Sequence, residues 1–155
     1  AVEGFAKLFG EEKEYMGEKY YTFPEPYEIK NITEKDLEPL KLGYRNSYII
    51  GAIKDVLEGK LSYEELKNLS YEEAKKRLLS VKGIGNKVAD CILLFSLGKF
   101  EAFPVDTWIK KAMQTLYGVA EKEITDYKNI NYGNYSGFAQ QYIFYYMREK
   151  KIIRN

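Results

Sequence analysis

Lys87 stands two residues after a Gly83-Ile84-Gly85 turn, and Asp106 follows it 19 positions later. A lysine amine can attack an electrophilic carbon and hold it as a Schiff base. A carboxylate can stabilise positive charge that develops on a nearby sugar ring. The two glycines let the backbone turn sharply and let another molecule come close, while Ile84 is placed to anchor the turn in the core. The helix that follows presents unpaired N–H groups and the positive end of its dipole. Turn and helix together make a site for one phosphate. The plain alternative is an ordinary connection between helices with Gly as a stop. The short pattern alone does not separate the two, but the full string LLSVKGIGNKVADCILLF is far more specific.

The same helix start bears on Lys87. An ammonium there adds to an end that is already positive, a setting that favours the neutral, nucleophilic amine. For an isolated lysine a solvated surface role is the simpler reading. Cys91 lies four residues on and shares the helix face of Lys87, although a lone cysteine is most often plain core. Asp106 precedes a helix that begins at Thr107, where Asp is a strong N-cap. Capping and charge stabilisation do not compete, because a capping carboxylate is held rigid.

Composition narrows the chemistry. There is no histidine, so the commonest general base and metal ligand are both missing. Catalysis must draw on Lys, Asp, Glu, Tyr or Cys. Cys91 is the single cysteine, which excludes an intrachain disulfide and a four-cysteine zinc or iron–sulfur site within the chain, and fits a reducing compartment. The net charge of +1 means that any grip on an anionic polymer must come from local geometry. No signal-peptide pattern and no membrane-length apolar run is present, which places the protein in the cytoplasm or nucleus. With 155 residues, 45% of them apolar, the chain can build one domain or two small lobes. It opens at Ala1, inside an apolar helical pattern, so a preceding segment is expected.

The elements that must position these residues are almost all helical. Val2, Phe5, Ala6 and Phe9 predict a helix ending at Gly10. EEKEYMGEKYYTF, centred on Met16-Gly17-Glu18, predicts a β-hairpin within 12–22. Thr33 and Asp36 mark a short helix start. Tyr48, Ile49, Ala52, Ile53, Val56 and Leu57 predict a helix from Arg45 to Glu58, stopped by Gly59. Two capping boxes, Ser62 to Glu65 and Ser70 to Glu73, open two further helices, the second ending near Leu79. An apolar helix is predicted from about Asn86 to Leu97, and another from Thr107 to Gly118. The Tyr- and Asn-rich stretch 121–136 reads as polar connection. Gly137 lies near the start of a last long helix carrying Phe138, Ala139, Tyr142, Ile143 and Tyr146. The fold class is therefore all-α with one small β-hairpin.

The Gly-Ile-Gly hairpin, Lys87 and Pro104-Val105-Asp106 together resemble the helix-hairpin-helix-GPD pattern. Within that superfamily, KVADCILLFSLGKFEAFPVD is similar to the 8-oxoguanine DNA glycosylases, and the resemblance runs from Val2 to roughly Lys150. It implies a single catalytic region over 1–155, or two small helical lobes with the site between them, without the family's extra N-terminal domain. It implies excision of 8-oxoguanine, opposite cytosine, and strand cleavage by β-elimination. The expected partner is double-stranded DNA with a damaged base, met by a monomer that needs no cofactor.

The resemblance also implies roles. Lys87 matches the lysine that attacks C1′, and Asp106 the essential aspartate. Cys91 matches the cysteine packed on the flipped base. Gln140 and Phe144 match residues that read the Watson–Crick edge and stack on the base, and their i, i+4 spacing puts both on one helix face. Read alone, Phe144 is equally helix core and Gln140 a solvated face. Tyr44 and Arg45 match residues at the gap left in the duplex and at the orphaned cytosine, though alone they read as a helix start with a packed Tyr. Gly83, Gly85 and Val88 match the hairpin's DNA contact, and Trp108 stands where eukaryotic members carry a phosphate-touching histidine. Lys82 replaces the usual hairpin proline. The carbonyls of Leu79, Val81 and Ile84 match those that hold a structural cation in relatives.

Two alternatives remain at this point. An endonuclease III-like enzyme for oxidised pyrimidines would share the lysine and aspartate, but usually carries a C-terminal cysteine cluster that this chain lacks. A non-catalytic helix-hairpin-helix DNA-binding module would need neither Lys87 nor Asp106.

Overall fold

The apolar spacing of the sequence becomes eight α-helices and one β-hairpin in the computed structural model, which describes residues 1–150. Two compact units divide the chain, Ala1–Ser62 and Tyr63–Asn155.

In the first unit, α1 (Val2–Phe9) stops at Gly10, whose N–H donates to the Ala6 carbonyl at 2.7 Å. A Cβ at Gly10 would fall 1.7 Å from the Thr22 carbonyl oxygen, so only glycine lets the end of the hairpin close on the helix. Strands β1 (Glu12–Tyr15) and β2 (Glu18–Tyr21) pair antiparallel, Glu12 opposite Tyr21 and Tyr15 opposite Glu18. Met16 and Gly17 both have positive φ, the two-residue turn that matches strand twist. Asp36 accepts from the Thr33 amide at 2.8 Å and its hydroxyl at 2.7 Å, opening the helical segment Lys35–Leu40. That segment winds as a 3-10 helix with Pro39 inside it. α2 runs over Arg45–Leu57. Phe5, Ile29 and Leu37 form the core of this unit, with Ile49, Ile50 and Ile53 packed against them.

The second unit holds α3 (Tyr63–Asn68), α4 (Tyr71–Leu79), α5 (Asn86–Phe95), α6 (Thr107–Tyr117), α7 (Ile124–Asn131) and α8 (Ser136–Glu149). Ser70 and Glu73 complete both halves of the capping box on α4. Phe103, Ile109, Ala112 and Met113 pack with Ile143 and Met147, joining α6 to α8. At the foot of α8, the Gly137 N–H donates to the Phe100 carbonyl at 2.7 Å. A Cβ there would sit 2.3 Å from a Leu94 methyl and 2.9 Å from the Ala102 carbonyl oxygen. Glycine therefore sets how closely α8 approaches α5 and the loop before α6.

Three sequence expectations need correction. α5 ends at Phe95, two residues before Leu97. The Ser96 and Leu97 amides both turn back to the Ile92 carbonyl, and Gly98 at φ +65 closes the end. The polar stretch 121–136 contains α7, because Ile124 is buried in the core and Tyr127 packs on it. In the hairpin the buried anchor is Val81, whereas Ile84 is only half-buried.

Candidate active site

The hairpin between α4 and α5 is built from local hydrogen bonds. The Val81 amide donates to the Leu78 carbonyl at 3.0 Å, and the Ile84 amide to the Val81 carbonyl at 3.1 Å. Gly83 takes φ +93, a region closed to most side chains. Gly85 caps α5 with extended backbone and no side-chain cap. The Ala89 amide is the first to turn inward, to the Gly85 carbonyl at 2.9 Å. The amides of Asn86, Lys87 and Val88 come before it in the first turn, where a helix has no acceptor of its own for them. An added Cβ at Gly85 would meet nothing within 4 Å, so the space above the helix start is open to another molecule. Val88 is exposed beside it. Of the three carbonyls matched to a cation site, that of Val81 already accepts from Ile84, while keeping a second lone pair.

Lys87 begins a line along α5. Lys87, Cys91 and Phe95 follow at i, i+4 and i+8, and they line one side of a cavity of about 200 Å³. Pro104 and Asp106 close a second side, and Gln140, Gln141 and Phe144 of α8 a third. Five residues singled out in the sequence, Lys87, Cys91, Asp106, Gln140 and Phe144, thus meet around one space although 57 positions separate the first from the last.

Each wall residue is held differently. Asp106 Oδ1 accepts from the Ile109 amide at 2.8 Å and caps α6, while Oδ2 takes no partner among the described residues. Gln140 is only 4% exposed, so the solvated-face reading is corrected. Its Nε2 donates to the Pro104 carbonyl at 3.0 Å, because a buried amide must find a partner. Phe144 is half-buried, packed on the α6–α8 core with an edge left on the cavity. Trp108 is partly exposed in the first turn of α6. Tyr44 and Arg45 belong to the first unit, at the start of α2. There the Arg45 guanidinium lies 4.8 Å from the exposed Tyr44 ring, which meets Tyr48 edge-on.

One group escaped the sequence reading. On the other side of Lys87 lies a larger cavity of about 720 Å³, with Tyr71, Lys75, Asp90 and Lys128 in its walls. Asp90 is 5% exposed and accepts from the Tyr71 hydroxyl at 2.9 Å and from Lys75 at 2.9 Å. Burial, reinforced by the Asp90 charge, pushes the Tyr71 hydroxyl far above its ordinary value. Burial also lowers Lys128, whose ammonium donates to the Glu101 carbonyl at 3.0 Å. A usable signal existed, since Asp90 is a carboxylate one turn before Leu93 and Leu94 on the apolar side of α5.

No family model matches the sequence. A probable N-glycosylase/DNA lyase of Methanothermobacter thermautotrophicus is 28% identical over 175 residues, covering 99% of this chain and 56% of that protein. The 8-oxoguanine glycosylase/lyase of Clostridium acetobutylicum, crystallised with double-stranded DNA containing cytosine opposite 8-oxoG, superposes with a TM-score of 0.90 at 42% identity. That match covers 97% of this chain and 53% of the other. The chain belongs to the helix-hairpin-helix-GPD superfamily of DNA glycosylases. Within the superfamily it is also similar to the 3-methyladenine DNA glycosylase of Archaeoglobus fulgidus, with a TM-score of 0.78 and 29% identity over 96% of this chain and 51% of that one. The chain spans about half the length of the relatives it matches. Among the described residues the architecture is helical with one hairpin at Glu12–Tyr21, and it superposes on these glycosylases. Among the described residues no helix is long and apolar enough to cross a membrane.

Proposed function

We propose that this glycosylase excises 8-oxoguanine opposite cytosine from duplex DNA and then cleaves the strand as an AP lyase. The observation that carries the reading is the meeting of Lys87, Asp106, Cys91, Gln140 and Phe144 around one cavity. The Clostridium acetobutylicum protein, similar over nearly the whole chain, is itself an 8-oxoguanine glycosylase/lyase. The enzyme works as a monomer on DNA in the cytoplasm or nucleus.

In this reading the α5 N-terminus, with Gly83, Gly85 and Val88, takes one backbone phosphate, and Trp108 lies against another. Tyr44 and Arg45 serve the gap and the orphaned cytosine. The extruded base enters the cavity between Cys91 and Phe144, with its edge on Gln140. Lys87 Nζ then bonds to C1′ while the bond from C1′ to the base breaks, and the departing base takes up a proton. Asp106 Oδ2 faces the positive charge that gathers on the sugar. Ring opening leaves an imine on Lys87, and loss of a C2′ proton expels the 3′ phosphate.

Borohydride trapping on a duplex with 8-oxoguanine opposite cytosine tests this. A covalent adduct that is absent in Lys87→Gln is the expected result. An adduct with thymine glycol and none with 8-oxoguanine would make the enzyme a pyrimidine glycosylase. Tight binding with no adduct on any lesion would reduce it to a DNA-binding module.

A further inference from the structure

Gln141, an exposed residue, also borders the cavity that holds Gln140. It follows Gln140 directly on α8, and neighbouring helix positions do not ordinarily face each other. Here they do, with Gln141 Nε2 lying 2.5 Å from Gln140 Oε1. The direction of both bonds is dictated by chemistry. The Pro104 carbonyl can only accept, so the atom of Gln140 that meets it is the amide nitrogen. The other atom of that amide is then a carbonyl oxygen, and whatever meets it must donate.

We propose that Gln141 is a specificity-determining positioning residue that locks the Gln140 amide in the orientation that reads a guanine-type edge. This rests on the excision of 8-oxoguanine proposed above. Held only at Pro104, the amide could swing about a single bond. Held at Pro104 and Gln141, on two different segments, it is fixed in plane. One amide hydrogen and one oxygen lone pair remain for the cavity. The oxygen suits the N–H donors of a guanine edge, and the hydrogen suits its O6. An adenine-type edge reverses that order and demands a flipped amide. Flipping would set oxygen against the Pro104 oxygen and NH₂ against the NH₂ of Gln141. The first clash strands the buried Gln140 and Pro104 atoms without a partner, and the second removes the bond from Gln141 to the buried amide.

The test compares Gln141→Met, which keeps length but loses the donor, with Gln141→Lys, which keeps a donor. Single-turnover excision is measured on duplexes carrying 8-oxoguanine or 8-oxoadenine opposite cytosine. Each rate is divided by borohydride trapping on an abasic duplex, which needs Lys87 but no base. Gln141→Met is expected to lower the 8-oxoguanine to 8-oxoadenine ratio about tenfold, the worth of one hydrogen bond, while Gln141→Lys holds it within about threefold. An unchanged ratio in Gln141→Met, or an equal fall in Gln141→Lys, overturns the proposal. If the unaltered protein excises no 8-oxoguanine, the functional reading fails first and takes this inference with it.

Discussion

Asp106 Oδ1 accepts the Ile109 amide at 2.8 Å, so the carboxylate that faces Lys87 across the cavity is also the N-cap of α6. The two duties can be separated by substitution. Asparagine caps a helix as well as aspartate does but carries no charge. Asp106→Asn should therefore keep stability within about 0.5 kcal/mol of the parent while single-turnover excision falls by about a hundredfold or more. Asp106→Ala should lose activity and also about 1 kcal/mol of stability. Urea unfolding beside single-turnover kinetics checks both. Equal stability losses in the two variants would show that the cap depends on charge.

The Asp90–Lys75 pair ties α5 to α4 across the hairpin, with side chains only 7% and 21% exposed. Removing one partner strands the other in a low-dielectric site. Lys75→Met or Asp90→Leu alone should each cost about 3 kcal/mol, and the double variant should cost less than the sum of the two. Urea denaturation around this double-mutant cycle measures the coupling. Additive losses would mean that Tyr71, also bonded to Asp90 at 2.9 Å, carries the interaction instead.

Gly137 marks a close approach of backbone. Gly137→Ala should destabilise by about 2 kcal/mol or more, as overpacking does. Truncating the flexible neighbour, as Leu94→Ala in the same chain, should relieve only part of the strain, because the Ala102 carbonyl oxygen would still lie 2.9 Å from the new methyl. Thermal melting of the single and double variants decides the point.

Glu73 gives a pH dependence with a defined sign. Hydrogen bonds from the Ser70 hydroxyl and amide hold its carboxyl below the ordinary value of 4.5. The folded state thus binds this proton less readily than the unfolded chain does. Its contribution is fully present above the unfolded value and disappears as pH falls through the lowered folded one. The melting difference between the parent and Glu73→Gln should be constant near neutrality and shrink as pH drops below about 4.5. A difference that stays flat down to pH 3 would assign the cap to Ser70 alone.

Much of the fold and part of the site were legible because these features are local. The Met16-Gly17 turn, the Ser70–Glu73 box, the Gly83–Gly85 hairpin and the Asp106 cap each close within about four residues, so residue type and spacing suffice. The helical period of α7 is hidden among Tyr and Asn residues, and burial of Ile124 in the core shared with α6 and α8, with Tyr127 packed beside it, reveals the helix. Ile84 was credited with the anchoring that Val81 performs, because either side chain satisfies the pattern and only packing chooses between them.

The sequence by itself determined which chemistry is available: a lysine at a helix start, a capping aspartate, a cysteine one turn away, and no histidine or cysteine cluster. It also determined the all-helical elements that carry them, since helix periods, caps and glycine stops are written over a few residues. Tertiary structure alone decided that Gln140 is buried against Pro104, 36 residues away, and that Gln141 turns onto it. It alone paired Asp90 with Tyr71 and Lys75 across the hairpin. These relationships depend on which face of each helix is covered and what covers it, and that is set by long-range packing, which no local pattern encodes.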